Sequence, residues 1–206
     1  MPDSLVVLLH GVGASGADLM PLGRIWARTL PDADFDAPDA PEPFDGGGPI
    51  RQWFSLEGVT PANRPARVAA ARPAFDALVA GIVERHGFAG RLDRVAIVGF
   101  SQGATMALDA AMRGRWPVAA AVALSGRFAS PEPLAPSPKT GFLIVHGAAD
   151  PVVPATEGEH AATALRARGL AVRHHVLPGV GHEIAPEAMR LAGAFLAERL
   201  GAPMTA

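Results

Sequence analysis

The sequence contains no cysteine. That removes disulfides, thiolate nucleophiles and Cys-ligated metal sites together, and leaves any covalent chemistry to another side chain, serine first among them. Long hydrophobic runs are missing too: before His10-Gly11 only residues 5–9 are continuously apolar. This falls short of the core of an export signal, about seven residues, and of the ~20 that cross a bilayer as a helix. The expectation is a soluble, cytoplasmic protein. Nor does one sign of charge dominate. The 18 basic and 20 acidic residues nearly cancel, with no long run of like charges, which argues against nucleic acid or anionic lipid as a partner. Lysine is almost absent, since Lys139 stands alone among the 18 cations. With the abundant alanine this reads as codon bias of a GC-rich genome and carries no function.

What is present suits one domain over residues 1–206: the length is ordinary for a single core and 49% of the residues are hydrophobic. Short apolar runs without alternation, at residues 5–9, 95–98, 118–124, 142–145 and 172–177 with a weaker one at 33–36, predict parallel strands buried on both faces. Between them, helical spacing of apolar residues covers roughly 18–29, 65–85, 102–112, 156–168 and 186–200. Strand and helix alternate, so right-handed crossovers predict an α/β fold: a doubly wound, mostly parallel sheet of about six or seven strands with helices on both faces. Ligands then sit beyond the carboxyl ends of the strands. Two segments interrupt the alternation. Residues 38–65 form a long loop holding Gly46-Gly47-Gly48 and Gln52-Trp53-Phe54, read as a wall of the active site against the alternative of a disordered surface excursion. Residues 125–140, with four prolines, are too short to make a cap domain.

The strongest motif is Gly99-Phe100-Ser101-Gln102-Gly103, which follows an apolar strand and opens a helical segment. A sharp turn at this place pushes the serine hydroxyl out of the sheet, flanking glycines relieve the crowded backbone, and the helix N-terminus behind favours developing negative charge. The competing reading is a Gly-rich turn with an incidental serine. A hydroxyl needs a base within reach. Among seven histidines, His182 lies in Pro178-Gly179-Val180-Gly181-His182, directly after the last strand. His86, His160, His174 and His175 read as surface or packing residues, and His10 and His146, each before a glycine at a strand end, as neighbours of the site. The base needs a carboxylate to fix its tautomer. Asp150 in Ala149-Asp150-Pro151 supplies one, with a turn-capping role as the alternative. The order Ser101, Asp150, His182, each after a separate strand, is the order this chemistry takes on such a sheet.

Acyl transfer also needs donors for the oxyanion. The backbone N–H of Gln102 is one candidate, and the loop His10-Gly11-Val12-Gly13 offers another, with Val12 favoured. The spacing Gly11, Gly13, Gly16 also satisfies G-x-G-x-x-G, but no acidic residue follows in a dinucleotide-binding context.

With these motifs assembled, the chain resembles the phospholipase/carboxylesterase family of α/β-hydrolases, which includes the acyl-protein thioesterases. The resemblance spans nearly the whole sequence and rests on residues 9–13, Gln52-Trp53-Phe54, residues 99–103, His146-Gly147 with residues 150–154, and Gly181-His182. It implies Ser101, Asp150 and His182 as catalytic residues, the Val12 and Gln102 backbones as oxyanion hole, and Trp53 and Phe54 as substrate-lining. It further implies no cofactor or metal, a small-molecule ester as substrate, and a homodimer in some members. Two departures stand out: Ala14-Ser15-Gly16 replaces the usual acidic and hydroxyl pair before the glycine, and the first strand begins almost at the first residue. The function expected is a serine carboxylesterase acting on short- to medium-chain esters. A thioesterase or lysophospholipase would use the same residues. A non-catalytic binding protein on the same fold would be expected to lose the nucleophile or base, and a metal-dependent hydrolase lacks an H-E-x-x-H pattern.

Overall fold

The computed structural model describes residues 2–201. In chain order the elements are β1 (Ser4–Leu9), α1 (Met20–Trp26), β2 (Ala33–Asp36), β3 (Glu42–Pro43), β4 (Arg51–Gln52), α2 (Arg64–Arg85), β5 (Val95–Phe100), α3 (Gln102–Met112), β6 (Ala120–Leu124), β7 (Gly141–Gly147), α4 (Thr156–Arg166), β8 (Val172–Leu177) and α5 (Pro186–Leu200). Six strands form one all-parallel sheet in the order β2-β1-β5-β6-β7-β8. The order reverses direction beside β1 and β5, where the crevice of a doubly wound sheet opens.

The apolar runs are continuous because both faces of the central strands are covered. Leu5, Val7, Leu9, Val95 and Ile97 pack under α2 and α3 through Val68, Phe75, Val79 and Met106. On the same face, Phe142 and Ile144 meet Ala161 and Leu165 of α4. The alternate residues Val6, Leu8, Val98, Val122 and Val145 face Leu22 and Trp26 of α1 and Phe195 and Leu196 of α5. Three helices therefore cover one face and two the other. Burying a Val, Leu, Ile or Phe side chain contributes roughly 1.5–3 kcal/mol, so these layers hold the strand ends in register. Leu9 pairs with Gly99, Phe100 with Leu124, and Leu124 with Val145, which brings the loops after β1, β5, β6 and β7 to one edge.

Some boundaries differ from those the sequence predicts. The first helix spans only Met20–Trp26, because Pro21 sits in its first turn and residues 16–18 form a separate 3-10 turn. The run 118–124 pairs as a strand only over Ala120–Leu124. β8 is the sheet's edge, with Val176 exposed and His174 and His175 only part-covered. The long loop after β2 is ordered: it contains the antiparallel pair β3–β4 and buries Trp53 and Phe54. Between β6 and β7 the described residues hold no helix or strand, hence no cap. No helix among the described residues is long and apolar enough to cross a membrane.

Candidate active site

The turn from β5 into α3 is built around a residue that is not glycine but has positive φ. Ser101 adopts φ 54° and ψ −115°, a region costly to an L side chain and found where the surroundings enforce it. Two glycines make the enforcement feasible. A Cβ on Gly99 would lie 2.3 Å from the backbone of Gly103, and one on Gly103 would lie 2.2 Å from the carbonyl oxygen of Leu9. The Ser101 N–H donates to Leu124 O at 2.9 Å, tying the elbow to β6. The hydroxyl is thereby lifted above the sheet edge at the N-terminus of α3.

His182 and Asp150 meet it there. His182 Nε2 lies 2.9 Å from Ser101 Oγ, and Nδ1 lies 2.7 Å from Asp150 Oδ2. The other carboxylate oxygen of Asp150 accepts the N–H groups of Val152 and Val153, both at 2.8 Å. Burial works to raise the Asp150 pKa, but the bond from His182 and those two backbone donors outweigh it and hold the carboxyl below its ordinary range. The two readings open from sequence, turn cap and partner of His182, are therefore served by different oxygens of one carboxylate. Phe100 packs against the His182 ring at a centroid distance of 5.0 Å.

The loop after β1 faces the same hydroxyl. Among the described residues the backbone N–H groups of Val12 and Gln102 donate to no protein acceptor, while Gly13 N donates to Arg51 O and Arg51 N to Ala14 O. The altered sequence Ala14-Ser15-Gly16 is braced in its own way: Asp18 accepts from the Ser15 N–H and hydroxyl, and Asp39 accepts from Gly16 N. His10 is occupied structurally. With its Nδ1 2.7 Å from Gly11 O and its Nε2 accepting Ala40 N at 2.9 Å, both ring nitrogens are used in fixing this loop. Burial lowers its pKa, in keeping with a neutral ring.

The long loop forms one wall, with only one of the two aromatic residues expected there. Phe54 lines the cavity beside Ser101. Trp53 stands behind it, 1% exposed, edge-on to Phe75, with its indole N–H donating to His10 O. The substrate-lining role expected of Trp53 is thus corrected: a ring that large, with one N–H to satisfy, is stabilised in the core beneath the wall rather than on it. Gln102 was singled out for its backbone, but its side chain also clamps this loop, accepting from Trp53 N at 2.8 Å and donating to Phe54 O at 2.7 Å. Asp45 gathers the next turn through Gln52, Ser55 and Leu56.

Two cavities flank Ser101. The smaller, about 140 Å³, is lined by Val12, Phe54, Leu56, Thr105, Val152 and Val153 among others, and has Arg64 and Arg127 in its wall. The larger, about 370 Å³, includes Leu19, Phe100, His182 and Ile184. None of Arg64, Arg127, Thr105, Leu19 or Ile184 carries a sequence signal. They come from five separate segments, and only the folded chain assembles them. Among the other histidines, His86 bridges Asp34 and Asp36. His146 is buried with neither ring nitrogen hydrogen-bonded among the described residues.

Known proteins carry the same arrangement of elements. Over 97% of this chain and 94% of its own, the crystal structure of esterase PE8 superposes with a TM-score of 0.88 at 38% identity. Esterase YpfH of Escherichia coli (strain K12) is 34% identical over 191 residues, 92% of this chain and 80% of that protein. Acyl-protein thioesterase 1 of Neurospora crassa is 29% identical over 214 residues, 95% and 86% of the respective chains. The phospholipase/carboxylesterase family model matches residues 2–200, nearly every position of the fold just described, and this chain belongs to that family.

Proposed function

We propose that the chain, a serine esterase of one domain, hydrolyses short carboxylic esters with Ser101 as nucleophile, His182 as general base and acid, and Asp150 as the group that orients His182. The observation that carries the reading is the continuous relay from Asp150 Oδ2 through both ring nitrogens of His182 to Ser101 Oγ, at 2.7 and 2.9 Å. Ser101 Oγ attacks the ester carbonyl as its proton passes to His182 Nε2. The tetrahedral oxyanion accepts from the unused N–H groups of Val12 and Gln102, each worth about 3–4 kcal/mol in such a hole. Collapse breaks the bond to the leaving oxygen, which takes the proton from His182. Water then repeats the sequence on the acyl-enzyme, releasing the acid and restoring the serine.

His182 borders the larger cavity and not the smaller. The leaving alcohol, which must reach His182, therefore occupies the larger cavity and the acyl group the smaller. At about 140 Å³ the acyl side matches a cavity of ~150 Å³ that takes benzene, which favours acyl groups of about six carbons or fewer. No metal or cofactor enters any step. The partner is a small-molecule ester, in a cytoplasmic setting, without nucleic acid, and a homodimer is compatible with this reading. Thioesters, whose thiolate is the better leaving group, would pass through the same steps on the same residues.

The test is hydrolysis of p-nitrophenyl esters from acetate to palmitate by the wild type and by Ser101→Ala. The wild-type rate is expected to peak at short acyl chains and to fall by a factor of about 10⁴ or more in the variant. Undiminished turnover by a folded Ser101→Ala protein would overturn the assignment.

A further inference from the structure

The acyl cavity is apolar around Ser101, yet two cations, Arg64 and Arg127, are part of its wall. They are not equivalent. Arg127 is neutralised by Glu157 at 2.9 Å and also donates to Val152 O at 2.5 Å. Arg64 has no acid within 4.0 Å among the described residues, and its guanidinium makes no hydrogen bond to them. It is also the first residue of α2, the end of a helix where a positive side chain is disfavoured by the macrodipole. Within the fold, only the field of Glu157, already paired with Arg127, favours a cation here. Arg64 also borders the outer depression formed by Pro61, Pro65, Phe128 and Glu157, so it stands at the limit of the acyl cavity rather than beside the reacting serine. Counting Arg64, Arg127 and Glu157, the formal charge in this corner is +1.

From this placement we infer that the preferred acyl group ends in an anion: the substrates are half-esters of short dicarboxylic acids, whose free carboxylate binds Arg64 while the ester carbonyl reaches Ser101. The inference rests on the esterase reading above and refines it. Burial and repulsion by Arg127 both lower the Arg64 pKa, with Glu157 opposing, and a bound carboxylate would offset both. An arginine–carboxylate contact is a charge-assisted and frequently bidentate hydrogen bond, whereas a neutral acyl chain leaves the guanidinium unpaired. The reaction is unchanged: the ester C–O bond breaks, water supplies the hydroxyl of the second carboxylic acid, and the product is a free dicarboxylate and an alcohol.

The experiment measures kcat and KM by proton release for monoethyl succinate, glutarate and adipate against ethyl butanoate and ethyl hexanoate, in wild type, Arg64→Gln and Ser101→Ala. The best half-ester is expected to exceed the best neutral ester in kcat/KM by about tenfold, mostly through KM. Arg64→Gln, which removes no hydrogen bond or ion pair of the side chain within the described residues, is expected to bring the ratio of half-ester to neutral-ester kcat/KM down to about one, because Gln keeps polarity but not charge. A wild type that prefers neutral esters, or a preference for half-esters that survives in Arg64→Gln, overturns the inference while Ser101-dependent turnover of the neutral esters leaves the esterase reading standing. Loss of both readings would require that Ser101→Ala hydrolyse all five esters as fast as the wild type.

Discussion

The two halves of the site are built differently. Ser101, Asp150 and His182 sit on short turns that follow β5, β7 and β8, and their positions are set by strand register, with β5 and β7 buried on both faces and β8 the part-covered edge. The opposite wall is a long loop with only a two-residue antiparallel pair. It is ordered by side chains: Gln102 holds Trp53 and Phe54, Asp45 holds residues 52–57, Arg51 ties back to Ala40 and Pro41, and Trp53 fills the core. The first half takes its precision from backbone register, the second from a few polar contacts. Under the proposed function, a reaction that needs angstrom-level alignment of nucleophile and base rests on the first, while the second contributes Phe54 and Leu56 to the acyl cavity, where adjustment is tolerated.

If this division is correct, chemistry should be lost by small changes in the strand-end half that disturb no packing. Asp150→Asn is the sharpest case. It keeps the side-chain oxygen that can accept from Val152 and Val153, but opposite Nδ1 it places a donor or a neutral acceptor, so His182 loses the tautomer that presents a free Nε2 lone pair to Ser101. A fall in kcat of about 10⁴ is expected with little change in KM. Steady-state kinetics beside a thermal melt separates this from unfolding. A fall of less than about tenfold in a folded protein would show that Asp150 serves the turn alone.

Next in size is a pH effect on stability in which a residue of the strand-end half has the largest share. His146, at the end of β7, has its pKa lowered to about 4, first by burial, with His174 adding to the shift and Asp150 and Glu157 opposing it. In the unfolded chain it titrates near 6.5. Between these values the unfolded state binds the extra proton, so stability is complete above about 6.5 and is lost as pH falls toward 4, by about 3 kcal/mol for this residue. His10 and His174 are lowered in the same direction and add to the slope, whereas His86, held by Asp34 and Asp36 against its own burial, is raised and opposes it. Urea midpoints of wild type and His146→Phe at about pH 7 and pH 4.5 isolate the contribution. The gap between the two proteins is expected to shift in favour of the variant on acidification, and a constant gap would exclude His146 as a source.

The same division explains what could be read before the structure. The all-parallel sheet was legible because strands covered on both faces leave unbroken apolar runs, and the elbow because the close approach of Gly103 to Leu9 and of Gly99 to Gly103 admits no Cβ. Once those strands were located, Asp150 and His182 followed from their places after β7 and β8. The loop half was legible only in outline. Trp53 was expected at the cavity because aromatic residues in long loops suggest a wall, but nothing local distinguishes a ring facing the cavity from one facing the core; the distinguishing contact, its N–H on His10 O, lies 43 positions away. Arg64 lies just before the predicted helical segment 65–85 and belongs to no motif. Its isolation from acids is a property of the neighbours α2 acquires, and sequence spacing does not carry it.

The smallest expected effect bears on the seam between the halves. Gln102 belongs to the elbow by its backbone and to the loop by its side chain, so Gln102→Ala should separate the two functions. Its N–H, the proposed oxyanion donor, is untouched. The Trp53 N–H and Phe54 C=O lose their partner in a buried setting, which costs about 1–3 kcal/mol of stability after relaxation. If the loop is held mainly at this seam, amide exchange should rise across residues 45–57 and stay unchanged in β5 and α3. Acyl selectivity should then broaden as the Phe54 wall loosens, while kcat on the shortest ester changes less than about threefold, since each factor of ten corresponds to ~1.4 kcal/mol at the transition state. An equal loss on every ester, with exchange rising in β5 as well, would mean that nucleophile and wall are one mechanical unit and that the distinction between register-held and contact-held halves does not apply.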